Sequence, residues 1–527
     1  MQGHFALILH AHLPFVRHPE HEKFLEENWL FEAITETYIP LIQMMDGWLH
    51  DGIDTRLTVS ISPPVCAMLL DPLLQDRYVR HLDGLIELAE KEIHRTHWDK
   101  DFHALAWMYH HRFNTIRETY FAYGKNLVGA FRKFQEKGKL EIATCAATHA
   151  LLPLLANHTP SLRAQIFIAR DYYRECFGCD PRGIWLPECA YVEGIENILQ
   201  EANIRWFVTD THGILHARPR PRYGVFAPVF TPNGVAAFGR DFDSARQVWS
   251  KLEGYPGDPR YRDFYRDVGF DLDFDYVKNY LPAPDHRGFT GIKYHRITGH
   301  GGDKQVYDRD AALRVADEHA EHFLHARMEQ FSKLGGIMDR PPIVLSPYDA
   351  ELFGHWWYEG PEFLNFFVRK AVCDQKVFTL TTPNEFLRRY QTQQVATPSA
   401  SSWGEEGYWR VWLNESNEWI YPHLQIAQTR MSELAKQFSE ASPTPLEERA
   451  LKQAARELLL AQSSDWPFIL RTNTSPDYAR KRVKEHLLRF IALHEQLTKK
   501  EINEAWLGKI ESLDNIFPNV NWKYWAS

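Results

Sequence analysis

The chain has 527 residues, more than one compact core usually holds, so we expect two or three domains. Its net charge of −9 and the lack of a long Lys/Arg run argue against nucleic acid and anionic membranes as partners. With 17 Trp it carries more tryptophan than a core needs, which predicts that several rings face sugars, other flat ligands or partner proteins. The alternative is a large aromatic core.

The amino-terminal segment MQGHFALILHAHLPF has no basic region, and its apolar run ends at His10. That run is too short for a signal peptide or a membrane span, and no later segment reaches 18 apolar residues. Six Cys in 527 residues suggest a reducing compartment, so we expect a soluble, cytoplasmic protein. Cys176 and Cys179 form a CxxC pair without a fourth zinc ligand or a thioredoxin-like context, which favours structural thiols.

Seven short apolar runs, most of them followed by polar residues, are typical of strands buried on both faces of a parallel sheet. In chain order they are FALIL before His10, RLTVSIS before Pro63, LEIATCAA before His149, GIWLP before Glu188, IRWFVTD ending at Asp210, PPIVLSPY before Asp349 and VFTLTTP before Asn384. Amphipathic helical stretches separate most of them. The alternation predicts an α/β fold, and polar residues after successive strands are typical of the functional rim of a (β/α) barrel.

About seven strands instead of eight favour an incomplete (β/α)7 barrel; the alternative is an open doubly wound sheet, but no glycine-rich dinucleotide loop follows the first strand. Residues 213–300 are rich in Pro, Gly, Arg and Tyr and predict inserted lid or binding loops. After the polar stretch VATPSASS only helices are predicted, with starts at Thr444 and Ser475, each followed by Pro. The predicted division is a first barrel part at 1–185, an inserted small domain with lid loops at 186–260, a second barrel part at 261–395 and an all-helical domain at 400–527.

His10 and His12 end the first predicted strand and, being two residues apart, project to the same side. With a third ligand such as His149 they could hold a metal ion. They could equally bind the hydroxyls of a substrate, or have a structural role. The spacing alone leaves these three interpretations open.

Glu188 and Asp349 each follow an apolar strand, which would bring both carboxylates to one rim of the barrel. Two carboxylates are the minimum for glycoside chemistry, because one attacks the anomeric carbon or activates water while the other protonates the leaving oxygen. The alternative is that either carboxylate pairs with an Arg or caps a helix.

The segment SSWGEEGYWRVWLNESNEW, from Ser401 to Trp419, carries four Trp without a clean helical or strand period, and Asp465 stands beside Trp466. Such rings and carboxylates suit sugar-binding subsites. The alternative is a Trp-rich seam that packs the helical domain onto the barrel.

Five segments, in order, resemble the sequence regions of glycoside hydrolase family 57, most closely its 1,4-α-glucan branching enzymes. They are HAHLPFVRHPE (10–20), ATHALLPLL (147–155), GIWLPECAY (183–191), SPYDAELFGHWW (346–357) and the segment around Trp403. The resemblance covers essentially the whole chain. It implies a (β/α)7 barrel, a small inserted domain and a helical carboxyl-terminal domain.

The resemblance also implies a retaining mechanism in which Glu188 is the nucleophile and Asp349 the general acid/base, with their carboxyls roughly 5–5.5 Å apart. It implies that His10, His12 and His149 line the donor-sugar site, and that no metal or cofactor is needed. The remaining implied substrate-site positions are Trp29, Trp403, Trp412, Asp465 and, as a weaker match, Arg266.

The activity that the resemblance implies is glucan branching, with an α-1,4-glucan as both donor and acceptor. Rivals within the family are 4-α-glucanotransferase, α-amylase and α-galactosidase. A rival from another class is a metal-dependent carbohydrate deacetylase or mannosidase-like hydrolase that uses His10, His12 and a carboxylate. A third alternative is a glucan-binding protein without catalysis.

Overall fold

The computed structural model describes residues 3–250, 253–283, 285–299 and 304–526. Ten strands form its sheet: β1 (Gly3–Ala11), β2 (Leu57–Ile61), β3 (Leu140–Cys145), β4 (Gly183–Trp185), β5 (Trp206–Thr209), β6 (Val229–Phe230), β7 (Ala236–Gly239), β8 (Ile343–Asp349), β9 (Phe378–Leu380) and β10 (Gln394–Val395). All seven strands predicted from apolar runs are present.

The sheet follows the order β10-β6-β7-β5-β4-β3-β2-β1-β8, with β9 paired to the start of β1. Seven strands, from β8 through β1 to β7, are mutually parallel, as the incomplete (β/α)7 barrel requires. Just after β7, the backbone N–H of Asp241 donates to the carbonyl of Leu345 in β8 at 2.9 Å, which brings the two outer strands of this set together. The predicted fold class is confirmed.

One barrel strand was not predicted. β7 lies in VAAFG, a run of small residues inside the region expected to be loops, and pairs in parallel with β5. The last predicted strand, β9, pairs only with the first residues of β1. The range 186–260, predicted as an insert with lid loops, therefore contributes β5 and β7 to the sheet, while the proposed domain boundaries themselves stay a prediction.

Helices cover the outer side of the sheet and form the carboxyl-terminal part of the chain. They are α1 (Asn28–Ala33), α2 (Ile39–His50), α3 (Pro63–Leu70), α4 (Pro72–Arg95), α5 (Lys100–Ala122), α6 (Leu127–Glu136), α7 (Thr159–Phe177), α8 (Ile195–Glu201), α9 (Thr211–Leu215), α10 (Phe242–Trp249), α11 (Val268–Asp271), α12 (Phe274–Val277), α13 (Arg309–Ile337), α14 (Gly360–Cys373), α15 (Pro383–Arg389), α16 (Ile420–Glu440), α17 (Pro445–Ala461), α18 (Asp465–Thr472), α19 (Pro476–Lys499) and α20 (Glu504–Leu513). Among the described residues, none of these helices is long and apolar enough to span a bilayer.

The carboxyl-terminal helices dock directly on the barrel rim. α17 begins at the predicted start, Thr444, with a capping box in which Thr444 and Glu447 satisfy each other's backbone N–H groups. Beyond its end, Ser463 forms a β-bridge with Ala150, and the backbone N–H of Ser464 donates to the carbonyl of His149 at 3.1 Å. The turn between α17 and α18 therefore reaches the carboxyl end of β3.

Part of the region 213–300 packs tightly and is not a free loop. Arg262 is buried and pairs with Glu36 at 3.3 Å. Asp267 is also buried, and its carboxylate accepts hydrogen bonds from the backbone N–H groups of Gly269, Thr290 and Gly291. Burial raises the pKa of Asp267, although these donors and Lys293 oppose it. The described loops thus have fixed anchor points on the barrel.

Candidate active site

Glu188 lies in a strained turn at the carboxyl end of β4. The strand ends at Trp185, and a short 3-10 turn spans Pro187–Cys189. Within it, Glu188 (φ 62°) and Cys189 (φ 50°) adopt left-handed backbone conformations, as does His149 (φ 56°). Each such residue costs on the order of 1–3 kcal/mol, and this kind of strain clusters at functional sites. The turn changes the direction of the chain after β4, so that the side chain of Glu188 no longer follows the alternation of the strand.

The Trp403 segment holds this turn in place. Tyr191 and Ser401 form an antiparallel bridge, so the chain after the polar linker runs alongside the residues that follow Glu188. The indole Nε1–H of Trp403 donates to Oε2 of Glu188 at 2.7 Å, and Oε1 lies 3.9 Å from Nδ1 of His149. The carboxylate thus has one strong donor and a histidine beside it.

Asp349 is the last residue of β8, and register places it next to the first histidine of the HxH pair. His10 is the Cα partner of Asp349 in β8 and of Ser60 in β2. A further carboxylate, Glu351, follows directly: its Oε1 accepts from the backbone N–H of His12 at 3.1 Å and from the hydroxyl of Tyr38 at 2.5 Å. Burial, with the charge of Asp349, raises the pKa of Glu351 to about 8, so a proton on this carboxyl is favoured at neutral pH.

The two predicted catalytic carboxyls have raised pKa values. Burial and the charges of Asp349 and Asp465 together raise the pKa of Glu188 to about 8, and the N–H of Trp403 opposes them. Burial raises the pKa of Asp349 to about 6, against the opposing charges of His12 and Arg240. Because one pKa lies below pH 7 and the other above it, Glu188 and Asp349 together carry one proton and one negative charge at neutral pH. In the unliganded protein this order favours the proton on Glu188, the reverse of the roles that the resemblance implies.

His10 and His149 form a buried, neutral pair beneath the carboxylates. Their Nε2 atoms lie 3.0 Å apart, so one ring donates and the other accepts. The Nδ1 atom of His10 lies 3.2 Å from the Ser60 hydroxyl, and that of His149 lies 2.8 Å from the Ser464 hydroxyl. Burial holds the pKa of both rings well below the usual value, which favours neutral imidazoles that can donate or accept at substrate hydroxyls.

His12 joins the barrel to the helical domain. Its Nε2 lies 3.1 Å from both carboxylate oxygens of Asp465, and its Nδ1 lies 2.9 Å from the Ser62 hydroxyl. The ring also stacks on His149, with ring centroids 3.7 Å apart. Although burial raises the pKa of Asp465, the hydrogen bond and charge of His12 outweigh it, and the pKa is lowered. The lowered pKa favours the carboxylate form of Asp465.

The possible metal triad of His10, His12 and His149 is not among the groups of described residues whose ligand atoms are close enough to share an ion. Two groups in the described part of the chain have suitable atoms within 4.8 Å of one another: Glu457, His486 and Asp514 in the helical domain, and His10, Cys145 and His149 at this site. His12 belongs to neither, and its Nε2 faces Asp465. Burial raises the pKa of the Cys145 thiol well above its usual value, which disfavours the thiolate that a metal needs. This donor chemistry fits metal binding poorly.

The predicted aromatic positions differ in exposure. Trp403 is half-buried, with its ring 5.1 Å from Trp185 and 6.4 Å from Trp249. Trp412 is only 1% exposed and packs on Leu151 and Ala190, as the alternative of a Trp-rich seam expects. A direct sugar contact for Trp412 stays a prediction.

Trp29 and Arg266 have contacts with residues other than the two carboxylates. Trp29 is half-buried and meets Tyr478 edge to face at 6.1 Å. Arg266 is half-exposed, and its Nε donates to Asp271 at 2.7 Å. The substrate roles of Trp29 and Arg266 stay predictions.

The sequence reasoning missed Arg240 and Ser464. Arg240 directly follows β7; it pairs with Asp210 at 3.5 Å, lies 5.7 Å from the Trp403 ring centre and lowers the pKa of Asp349. It was missed because β7 was missed. Asp210, the last residue of IRWFVTD, was the available signal, since a partly buried carboxylate at the rim is stabilised by a neighbouring cation. For Ser464, the adjacent Asp465 was the only hint.

Two family models match the chain. The model for glycosyl hydrolase family 57 matches residues 6–399, and the model for the 1,4-alpha-glucan branching enzyme C-terminal domain matches residues 423–525. The chain belongs to glycoside hydrolase family 57. This assignment accounts for both the incomplete barrel and the helices that complete its rim.

Similar proteins include both branching enzymes and an amylase. A 1,4-alpha-glucan branching enzyme of Thermococcus kodakarensis is 31% identical, covering 99% of this chain and 78% of the relative. The crystal structure of a family 57-type branching enzyme from Pyrococcus horikoshii has a TM-score of 0.90 at 30% identity, covering 100% of this chain and 97% of that one. The crystal structure of AmyC from Thermotoga maritima, described as a novel alpha-amylase, has a TM-score of 0.94 at 46% identity, covering 100% and 99%.

Proposed function

We propose that the protein is a 1,4-α-glucan branching enzyme that acts by a retaining double displacement. The observation that carries the proposal is the docking of a branching-enzyme carboxyl-terminal domain onto the rim, where Asp465 and Ser464 complete the hydrogen bonding of His12 and His149. The substrate would be an α-1,4-glucan such as amylose or a glycogen-like polymer, as donor and as acceptor. Because all six cysteines are free thiols, we propose a cytoplasmic location.

In the first step, a carboxylate oxygen of Glu188 attacks the anomeric carbon of the donor. The bond to the 4-oxygen of the next glucose breaks, and Asp349 gives its proton to that oxygen. In the second step, Asp349 takes the proton from the 6-hydroxyl of another glucan unit. The 6-oxygen then attacks the same carbon, and the ester bond to Glu188 breaks. Two inversions retain the α configuration.

The surrounding residues would bias the carboxyls toward these roles. The hydrogen bond from Trp403 stabilises a negative charge on Glu188. Positive charge that develops on the sugar in the transition state favours the same protonation state, because it lies against the nucleophile. The productive form, with the proton on Asp349, would therefore be a minor form in the free protein that substrate selects.

Transfer requires that a sugar hydroxyl reach the ester before water does. The site supplies apolar walls, since Trp185 and Trp249 each contact Trp403, whose indole N–H binds Glu188. The anchored loops of 213–300 would act as the lid that we expected from their composition. Exclusion of water and positioning of an acceptor chain are what favour transfer over hydrolysis.

α-Amylase activity is the second candidate, because AmyC is 46% identical over the whole chain. Incubation with amylose separates the two. Branching lowers the iodine colour with little gain in reducing ends, and debranching of the product then releases short linear chains. Formation of reducing sugar in proportion to the loss of colour, without α-1,6 linkages, would contradict the proposal. Glu188→Gln serves as the inactive control.

A further inference from the structure

Two tryptophans are exposed on the outside of the barrel, on the hairpin of α4 and α5. Trp98, in the turn between the helices, is 92% exposed, and Trp107, two turns into α5, is 51% exposed. Leaving rings of this size in water costs hydrophobic free energy that burial would recover. We call these residues and the histidines between them, His97 and His103, the hairpin surface.

Hydrogen bonds hold the ring of Trp107, while Trp98 contacts the ring of His97. The indole N–H of Trp107 donates to Nε2 of His103 at 3.2 Å, and Nδ1 of His103 donates to the carbonyl of Ile93 at 3.1 Å. His97 lies edge-on between them, 4.6 Å from Trp98 and 5.6 Å from His103, measured between ring centres. Because its hydrogen bond fixes the ring, Trp107 loses little conformational entropy when it binds a ligand.

The surroundings of the two rings are polar. Their exposed neighbours include His94, Asp99, Lys100, Asp101 and His111. A stable protein interface needs on the order of 800 Å² per partner around an apolar centre. Two flat rings surrounded by hydrogen-bonding groups match a sugar chain better than a protein partner. Each sugar has an apolar C–H face that can stack on a ring, and hydroxyls that can bind the polar groups.

The hairpin surface is mechanically joined to the loops that we expect to form the lid. Phe102 stacks on Tyr294, with ring centres 5.1 Å apart. The buried carboxylate of Glu92, at the end of α4, accepts hydrogen bonds from the hydroxyls of Tyr276 and Tyr294, both at 2.9 Å. The helices that carry the two tryptophans thus share anchor points with the 253–299 region.

We propose that the hairpin surface is a second glucan-binding site, separate from Glu188 and Asp349, which stacks the sugar rings of an α-1,4-glucan on Trp98 and Trp107. The inference rests on the proposed glucan substrate. A polymer bound there stays tethered to the enzyme between transfers, so its effective concentration at the catalytic site rises. Short oligosaccharides gain nothing from such a tether.

The test measures binding without turnover. In the Glu188→Gln protein, migration in native gels that contain glycogen or amylopectin is compared with and without Trp98→Ala and Trp107→Ala. We expect each substitution to weaken polymer binding by about two- to tenfold, the range of one aromatic contact. Phe121→Ala, which removes a 41% exposed ring near the other end of α5, is the matched control and should leave migration unchanged.

A second measurement uses the active protein. The Trp98→Ala, Trp107→Ala double variant should show a raised KM for amylopectin and an unchanged kcat/KM for a short maltooligosaccharide. Unchanged polymer binding in the double variant would overturn the inference. So would a native dimer that the double variant splits while glucan binding persists, since the surface would then be a protein interface. Linkage analysis of products tests the branching proposal separately, because it does not depend on this surface.

Discussion

Trp403 donates two hydrogen bonds to Glu188: its indole N–H reaches Oε2 at 2.7 Å, and its backbone N–H reaches the carbonyl at 3.0 Å. The residue that would be the nucleophile is therefore held, in side chain and backbone, by a segment 215 residues later in the chain. The backbone bond supports a left-handed residue that would otherwise be unfavourable. The side-chain bond supports the charge that attack requires.

Trp403→Phe keeps most of the ring and removes the indole donor. A hydrogen bond to a charged group contributes about 1.5–3 kcal/mol, so we expect kcat to fall by about ten- to a hundredfold. The measurement is steady-state transfer from amylose. Trp409→Phe is the matched control, since Trp409 packs in the Trp412 cluster. Equal losses in the two variants would show that the effect is packing and not the hydrogen bond.

The pH dependence of kcat/KM should be bell-shaped. The pair needs one proton and one charge, so activity falls at low pH as Asp349 becomes protonated near pH 6, and at high pH as Glu188 loses its proton near pH 8. Because Trp403 favours the carboxylate form of Glu188, Trp403→Phe raises that pKa and moves the alkaline limb to higher pH. A profile that is flat between pH 5 and pH 9, as a rough range, would contradict this account.

Glu188→Gln should abolish transfer and stabilise the fold. The folded pKa of about 8 lies above the usual glutamate value of 4.5, so the wild type loses stability as pH rises between these values, and glutamine avoids that loss. We expect Tm to rise by about 1–3 °C at pH 8 and by less at pH 5. Thermal unfolding of the exposed Glu193→Gln variant supplies the baseline. A lower Tm for Glu188→Gln at pH 8 would mean that the ionised carboxylate stabilises the fold.

Azide rescue assigns the two carboxyl roles. With a donor that carries an activated leaving group, Glu188→Ala plus azide should give the β-glycosyl azide by a single inversion, since azide replaces the nucleophile. Asp349→Ala should form the ester and release the α-glycosyl azide. NMR of the product shows whether the glycosyl azide is α or β, and this distinguishes the nucleophile from the acid/base. The reverse pattern would exchange the roles, as the order of the pKa values in the free protein allows.

The helical domain contains a buried charge network centred on Asp514. Its carboxylate pairs with Arg482 at 2.9 Å and with Arg489 at 2.5 Å. Asp514→Asn leaves Glu485, 3.5 Å from Arg482 and 3.7 Å from Arg489, as the remaining carboxylate partner of these largely buried cations. We therefore expect a loss of about 3–5 kcal/mol in the free energy of unfolding, measured with urea. Asp477→Asn removes the partner of Arg480 at a site 97% exposed, and should change stability little.

The same network predicts acid sensitivity. Burial raises the pKa of Asp514, but Arg482, His486 and Arg489 outweigh it and hold the pKa below its usual 3.8. The stabilisation is therefore fully present above pH 3.8 and is lost as pH falls below it. Asp514→Asn should lose this part of the acid dependence. An unchanged acid titration of stability in the variant would show that other carboxyls control it.

The sequence by itself determined the strands that are long and apolar, and the residues that follow them. Parallel strands buried on both faces must be continuous apolar runs, so β1, β2, β3 and β8 could be predicted from composition alone. Glu188 and Asp349 were found because an ionisable group directly after such a run has to emerge at the rim. The start of α17 was predictable for an equally local reason, since Thr444 and Glu447 cap the same turn.

The tertiary structure alone decided what depends on distant partners. The short segment β7 contains two alanines and forms a strand because its backbone pairs with β5, although alanine has a low strand propensity. Arg240 follows β7 directly and reaches the site through it. The burial of Trp412 and the ion pair of Arg266 with Asp271 also depend on packed neighbours, and no local sequence pattern predicted them. The charge on Glu188 is set in the same way: desolvation and the Trp403 hydrogen bond act through space, between residues that the chain order keeps 215 positions apart.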